Sequence, residues 1–500
     1  MSAAEPGAGR EAGPCAADGR LAELAAQALA RPRTAPAVEY GNRWIEWGAM
    51  REVAHGLNAA LDAHGIGVGA PVAFVPRNRP AALAALLGMI ASRRTIRMIY
   101  AFQSAAAIAR DLQQMQPAAV VLHAEDLHDA LRTVLREQNI GVVVLDGLQA
   151  RWEGPEAVRT QGAPQTPRIE ILTSGTTGKP KPFTVSYELI LEHHIGAMAD
   201  LSAEIPTLLY FPLGNITGIY STIPPLLKNQ RVVLLDKFSV AGWHDYVRRY
   251  RPTATGLPPA GVQMVLDANI PREDLASIRR LGTGAAPLDP EVQRAFESRY
   301  GIPILLSYGA TEFGGPVTAM TLDLHAEWGA KKFGSVGRAL PGAKLRVVDA
   351  DSGEVLTPDR EGILEVVSPR IGPEWIRTSD IALIDGDGFL FHRGRADGAI
   401  MRGGFKVLPE TIERALLQHP AVSAAAATGI PDARLGQVPG VAVELKPGAA
   451  APDAAALEAH LRERVPATHV PTVWRIVDAL PRTPSFKVDR PALQRLLSDR

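Results

Sequence analysis

Apolar and polar positions along this chain alternate between two periods. From about residue 37 to residue 146, short β-branched runs give way to stretches with helical spacing. "PVAFVP" precedes the Ala/Leu segment near 80–92, "AAVVLHA" precedes "DLHDALRTVLREQ", and "GVVVLD" ends the series. The rhythm resumes in "TLLYFP", "QRVVLLD", "PTATGLP", "IRRLGTG" and "IPILLSYGATE". Strands separated by helical patterns predict an α/β region with a largely parallel sheet. Several of these strands end in Gly, Thr or Ser. Ligands of open α/β sheets gather at the carboxyl ends of strands, so these turns are expected around one crevice.

After about residue 335 the texture turns to β-hairpins, "AKLRVVDADSGEVL" and "EGILEVVSP", with Gly and Asp at the turns. Glycines and charges in "HRGRADGAIMRGGFKV" mark a junction, and a compact α/β tail follows with helices near 409–418 and 453–464. The predicted organisation is a flexible leader over 1–36, a large N-terminal domain over 37–394 and a C-terminal domain over 395–500.

Composition narrows the function classes. Hydrophobic residues make up 46% and charged residues 21%, the balance of a folded, soluble chain. Lysine plus arginine match aspartate plus glutamate at 53 each, which gives no electrostatic drive toward nucleic acid. The single cysteine, Cys15, excludes an intrachain disulfide and a thiolate metal cage. The leader lacks the apolar core of a signal peptide. "AALAALLGMIA" is too short to span a bilayer and runs into Arg93 and Arg94, so it reads as a buried helix. No membrane span and a cytoplasmic location are expected.

"ILTSGTTGKPKPF", Ile171 to Phe183, is the first stretch with specific chemistry. A Walker-type loop needs four residues between its glycines and a helix start after its lysine. Here Gly175 and Gly178 are separated by two residues, and Lys179 is followed by Pro180. It is a different device for the same ligand. Backbone N–H groups freed by glycine, the hydroxyls of Thr173, Ser174, Thr176 and Thr177, and the Lys179 ammonium are suited to wrap a polyphosphate. The competing reading is a threonine-rich surface turn.

Six segments then occur in order: "TSGTTGKPK", "SYGATE", "GSVGRALPG", "IRTSD", "GRADGAIMRGGFKV" and "LPRTPSFKVDR". The series resembles the adenylate-forming superfamily of acyl-CoA synthetases, aryl-acid ligases, peptide-synthetase adenylation domains and luciferases, over roughly residues 37 to 495. The resemblance implies an α/β fold. Its large N-terminal domain would hold parallel-rich sheets, helices and a β-barrel-like subdomain, and bind ATP and the acid. A small, mobile α+β C-terminal lid would carry a catalytic lysine.

The implied reaction has two halves. A carboxylate attacks the α-phosphate of ATP, giving an acyl-adenylate and pyrophosphate; the thiol of coenzyme A then takes the acyl group. Like charges must meet in the first half, so neutralisation and positioning supply most of the catalysis. By resemblance, Glu312 helps hold Mg²⁺, Thr311 touches the α-phosphate region, and Lys487 bridges the α-phosphate and the attacking carboxylate. Gly284, Ala285, Ala286, Tyr308, Gly309 and Ala310 line the nucleotide, beside Gly175, Gly178 and the loop hydroxyls. Asp380 takes the ribose hydroxyls, Arg395 assists at ribose or phosphate, and Asp397 sits at the hinge. Gly403 and Gly404 line the pantetheine tunnel. Asn215, Gly218, Ile219, Gly282, Thr283, Phe313 and Gly314 frame the acyl pocket. No Asp lies between residues 202 and 235 to meet an ammonium, which points away from an α-amino acid and toward a hydrophobic or aromatic monocarboxylic acid.

The pattern is broken at four places. Pro182 and Phe486 stand where such relatives usually carry glycine, Asn215 replaces a histidine or aromatic residue, and Arg93, Arg94 and Arg97 replace a turn of small residues. The reading is an acid–CoA ligase, AMP-forming. Its alternative is a ligase that loads the acid onto a separate carrier protein, since no carrier domain follows Arg490. Luciferase-like oxygenation would be revealed by light or oxygen uptake, and a non-catalytic adenylate binder by the lack of pyrophosphate release. The resemblance leaves a homodimer open.

Overall fold

The computed structural model describes residues 16–156, 158, 165–173, 181–196, 204–402, 405–483 and 486–498. Contacts divide the chain into two units, one running to Lys237 and the other starting at Phe238.

The first unit holds a seven-stranded sheet. Its central strands run parallel in the order Gly141–Asp146, Ala119–His123, Pro71–Val75, Thr95–Met98 and Arg168–Thr173. Gln149–Trp152 and Lys181–Ser186 close the two edges antiparallel. Pro71–Val75 is buried at every position, as a strand covered on both faces should be. The apolar run read as a buried helix is the helix Pro80–Ala91, whose residues Pro80 to Ile90 are all buried. Proline at its start supplies a preset φ where no N–H is needed. A second sheet joins Thr207–Leu209, Val232–Leu234, Pro36–Tyr40 and Arg43–Glu46 in that order.

The leader expectation needs correcting. Part of the stretch assigned to a flexible leader is the helix Ala16–Leu29, with Leu21, Ala25, Ala28 and Leu29 in the core. Those positions recur at helical spacing, and apolar burial outweighs the alanine- and glycine-rich look of the sequence around them. Cys15 lies outside the described residues.

Two of the breaks in pattern, Pro182 and the arginine turn, have local structural explanations in this unit. Pro182 lies on the edge strand Lys181–Ser186, opposite Leu172, where a residue without an N–H is tolerated. The three arginines have separate tasks. Arg93 takes a left-handed φ of 57° at the turn. Arg94 is buried, donating to Ile66 O at 2.9 and 3.1 Å, to Asn58 Oδ1 at 2.8 Å and to Asp62 Oδ1 at 2.5 Å. Arg97 pairs with Glu170 at 2.8 Å.

The second unit contains a sheet in the order Ala254–Gly256, Arg280–Thr283, Ile304–Ala310, Gly315–Ala319 and Arg338–Ala339, its first three strands parallel. An antiparallel sheet of Lys344–Val348, Glu361–Val367, Ile376–Ile384 and Leu390–Arg395 follows. The hairpin texture foresaw its first two strands. A further sheet, built on Val422–Asp432 and Gly436–Leu445, has its own core with the helices Pro409–Leu417 and Ala454–Arg462. The expected domain boundary at 394–395 lies at the end of the strand Leu390–Arg395, ahead of the strand Ile400–Arg402. Among the described residues, no helix is long and apolar enough to cross a membrane.

Arg94→Met tests the buried turn. It leaves Ile66 O without its donor and should lower stability by about 1–3 kcal/mol, read as a fall in melting temperature. An unchanged melting temperature would contradict a structural role for Arg94.

Candidate active site

The second unit gathers its polar residues at strand ends. Arg280–Thr283 and Ile304–Ala310 are parallel neighbours, with Thr283 opposite Leu306. Their carboxyl ends open into Gly284–Ala286 and a short 3₁₀ turn, Thr311–Phe313. Side-chain size is restricted here. A Cβ on Gly284 would stand 2.6 Å from Ser307 Oγ, and one on Gly309 would stand 2.5 Å from Gly315 O. Ala285 takes a left-handed φ of 66° to complete the turn. The hydroxyl oxygen of Thr283 is buried without a hydrogen-bond partner among the described residues. A buried polar atom left in this state fits a group arriving from outside the protein.

The turn that follows is fixed from beneath. Phe313 is 1% exposed and packs with Val317, Leu364, Val366, Ala382 and Leu390. Its carbonyl oxygen accepts from Ser368 Oγ at 2.7 Å. Gly314 closes the turn at φ 69°, its N–H donating to Thr311 O at 2.9 Å. Phe313, expected in the acyl pocket, is thus a core anchor. Its burial leaves the neighbouring Glu312 exposed, and that carboxylate makes no hydrogen bond or ion pair among the described residues.

A hairpin supplies the next groups. Asp380 lies directly opposite Arg395 across the antiparallel pair Ile376–Ile384 and Leu390–Arg395. The Tyr308 hydroxyl donates to Asp380 Oδ2, and His392 Nε2 lies 3.3 Å from Oδ1. Burial on its own would raise the pKa of Asp380. The bonds with His392 and Tyr308, with the Arg395 charge nearby, outweigh it and hold the carboxylate below its ordinary range. Tyr308 is pushed upward, first by burial and then by the charge of Asp380, so it remains a donor.

Arg395 binds Asp397 through two nitrogens at 2.9 and 2.6 Å, and donates to Ser379 Oγ at 2.6 Å. Ser379 Oγ in turn donates to Asp397 Oδ2 at 3.0 Å. The pair keeps Asp397 ionised, its pKa lowered chiefly by Arg395. The residue expected at the hinge is therefore clamped to the antiparallel sheet.

Lys487 completes the cluster. The residue as a whole is exposed to solvent, yet enough protein surrounds its ammonium to act on its charge. Burial pushes its pKa below the ordinary lysine value, Arg395 adds to this, and Glu312 and Asp380 oppose it. Lys487 is thus within electrostatic reach of Glu312, Asp380 and Arg395. All four are residues that the sequence motifs named. Sequence reasoning missed His392, Ser379 and Ser368. The Asp-Gly-Asp-Gly turn at 385–388 was the available signal for His392, because it sets the hairpin that brings the imidazole to Asp380.

Ser174, Gly175, Thr176, Thr177, Gly178 and Lys179 fall outside the described residues, as do Gly403 and Gly404. Thr173 ends its strand, and Gly282 lies within Arg280–Thr283. Asn215, Gly218 and Ile219 belong to the first unit. Asn215 caps the helix Ile216–Leu227, its Oδ1 accepting from Gly218 N at 2.8 Å. Gly218 is required there, since a Cβ would stand 2.0 Å from Pro212 O, and Ile219 is buried.

Comparison with known proteins decides the family. The profile described as AMP-binding enzyme matches residues 24–373, and that of the AMP-binding enzyme C-terminal domain matches residues 411–487. The chain belongs to the AMP-binding enzyme family. It is 30% identical to the sulfoacetate–CoA ligase of Cupriavidus necator over 89% of this chain and 91% of that one. It is 29% identical to the indoleacetate–CoA ligase of Aromatoleum aromaticum over 92% and 95%. In fold, this AMP-binding enzyme is similar to ATP-bound MatB from Rhodopseudomonas palustris, with a TM-score of 0.78 at 23% identity, covering 96% of this chain and 99% of that one.

The Asp380 network generates a prediction for this AMP-binding enzyme. Asp380→Asn removes the charge and one acceptor, and should raise KM for ATP by about 10- to 100-fold, with a much smaller change in KM for the acid. An unchanged KM for ATP would remove Asp380 from the nucleotide site.

Proposed function

We propose that Lys487, Glu312 and Asp380 together activate a hydrophobic or aromatic monocarboxylic acid on ATP, for transfer to coenzyme A. The chain is an ATP-dependent acid–CoA ligase, AMP-forming, acting through an acyl-adenylate. The observation that carries the residue assignment is the meeting of the Lys487, Glu312, Asp380 and Arg395 charges at the carboxyl end of a parallel sheet, within an AMP-binding enzyme.

In the first half-reaction a carboxylate oxygen attacks the α-phosphorus, the bond from that phosphorus to the bridging oxygen breaks, and pyrophosphate leaves. Lys487 offsets the charge that builds between the two anions. Asp380, kept ionised, accepts from the ribose hydroxyls with its remaining lone pairs, and Tyr308, donating to Oδ2, holds the carboxylate in place. In the second half the sulfur of coenzyme A attacks the acyl carbon. The carbon–oxygen bond to the phosphate breaks, AMP leaves, and the thiol proton passes to solvent.

The single exposed carboxylate of Glu312 would suit Mg²⁺ bound together with the triphosphate. No group of three or more metal-ligating side chains exists among the described residues, whereas Mg²⁺ ordinarily takes one or two carboxylates plus substrate phosphates. Glu312 would hold it, and the ion would supply neutralisation of the phosphate oxygens. The cytoplasm is the proposed setting.

The acid class rests on the acyl-side residues Gly282, Thr283 and Gly314, which carry no charge. A relative named for indoleacetate supports an aromatic acid, while one named for sulfoacetate requires small anionic acids in any test. Pyrophosphate release with ATP and Mg²⁺ should be measured over aromatic, alicyclic, fatty and sulfonated acids, with and without coenzyme A, and products identified by mass. Sustained turnover only with coenzyme A, giving an acyl-CoA from an aromatic or hydrophobic acid, is the expected result. Release without thioester would reassign the acceptor to a separate carrier protein. Silence across the panel would overturn the ligase reading.

A further inference from the structure

The residue before the lysine is where this chain departs from the glycine usual in enzymes it resembles, and the structure gives Phe486 a task there. Phe486 has φ 62°, a left-handed conformation that a bulky side chain keeps only when its surroundings hold it. The turn is closed on itself: Phe486 N donates to Thr483 O at 2.8 Å, and Thr483 N to Lys487 O at 2.7 Å. Arg482 and Val488 pair as an isolated antiparallel bridge at its base. Outside the turn, the Phe486 ring meets Phe238 edge to face, with centroids 5.3 Å apart and planes at 89°. This is the favoured geometry for two aromatic rings.

Phe238 is a fixed partner. It is 3% exposed, and Gly261 of the helix Pro259–Asp267 makes room for it. A Cβ at Gly261 would stand 2.9 Å from Phe238 Cζ. The Phe486 ring therefore docks against packed core, and Lys487 is the next residue along the chain.

We propose that Phe486 is a positioning residue whose docking on Phe238 holds the turn that directs Lys487 toward Glu312, Asp380 and Arg395. The proposal rests on the reading that Lys487 acts in adenylate formation. A glycine at this position reaches a left-handed φ freely but also leaves it freely. The phenylalanine replaces that freedom with a hold from outside, so the lysine is placed by a contact of the ring and not by the backbone alone.

Four variants of the full chain test it: Phe486→Ala, Phe486→Gly, Phe238→Leu, and Phe486→Ala combined with Phe238→Leu. Each is read for single-turnover adenylate formation, for thioester formation from supplied acyl-adenylate, and for hydrogen exchange over residues 482–489. Adenylate formation should slow by about 2- to 13-fold in both Phe486 variants, thioester formation should stay unchanged, and exchange should quicken. The double variant should be no slower than Phe486→Ala, because both changes remove one contact. A glycine variant with wild-type adenylation would leave only backbone strain as the cause and overturn the proposal. Additive losses, or equal losses in both half-reactions, would do the same. A wild-type chain that forms no adenylate would refute the ligase reading, and exchange would still judge the docking: unchanged exchange in Phe238→Leu overturns it.

Discussion

A carboxylate and a triphosphate repel one another, and a catalyst that joins them must hold positive charge at the place where they meet. In this chain the charge we propose for that task is the Lys487 ammonium, which lies within electrostatic reach of two carboxylates, Glu312 and Asp380, and one guanidinium, Arg395. The balance is deliberate in its physics. Burial and Arg395 draw the pKa of Lys487 down, while Glu312 and Asp380 support its charged form. A lysine surrounded only by cations would lose its proton, and one locked in a tight ion pair would have no free charge to offer. This lysine has neither arrangement.

The fold serves that arrangement through short, size-restricted turns. Gly284 and Gly309 admit backbone and Ser307 where a methyl group would collide. Phe313 is sunk in the core, which fixes the turn from which Glu312 projects. The antiparallel hairpin places Asp380 opposite Arg395 by register, so two of the four charges are set by a single pairing. Arg395 is then turned away from a direct bond with Asp380 by its bidentate grip on Asp397. Asp380 is left with acceptor capacity beyond the bonds from Tyr308 and His392.

Much of this was legible in the sequence, for identifiable reasons. Strand-then-helix rhythm revealed the parallel sheets, and ordered motifs named Glu312, Asp380, Arg395 and Lys487 before any coordinates. What stayed hidden depended on long-range pairing. His392 is a routine surface residue until the hairpin register brings it to Asp380. The capping bond that Asn215 Oδ1 accepts from Gly218 N is likewise absent from the motif reading. Phe486 reads as a defect until its φ and its contact with Phe238 are known together. The leader was misjudged because alanine and glycine content masked a helical stripe at Leu21, Ala25 and Ala28. Arg94 shows the same limit: it reads as a break in a turn of small residues until its burial and its bond to Ile66 O are known.

The central claim is that Lys487 acts in adenylate formation and not in the later thioester step. It is tested most directly by comparing Lys487→Ala with the parent chain in two assays: acid-dependent exchange of labelled pyrophosphate into ATP, and acyl-CoA formation from supplied acyl-adenylate. The account predicts that exchange falls by about 100-fold or more, while acyl-CoA formation from the adenylate stays within about threefold of the parent, below one power of ten in rate. Equal losses in the two assays, or intact exchange, would contradict it.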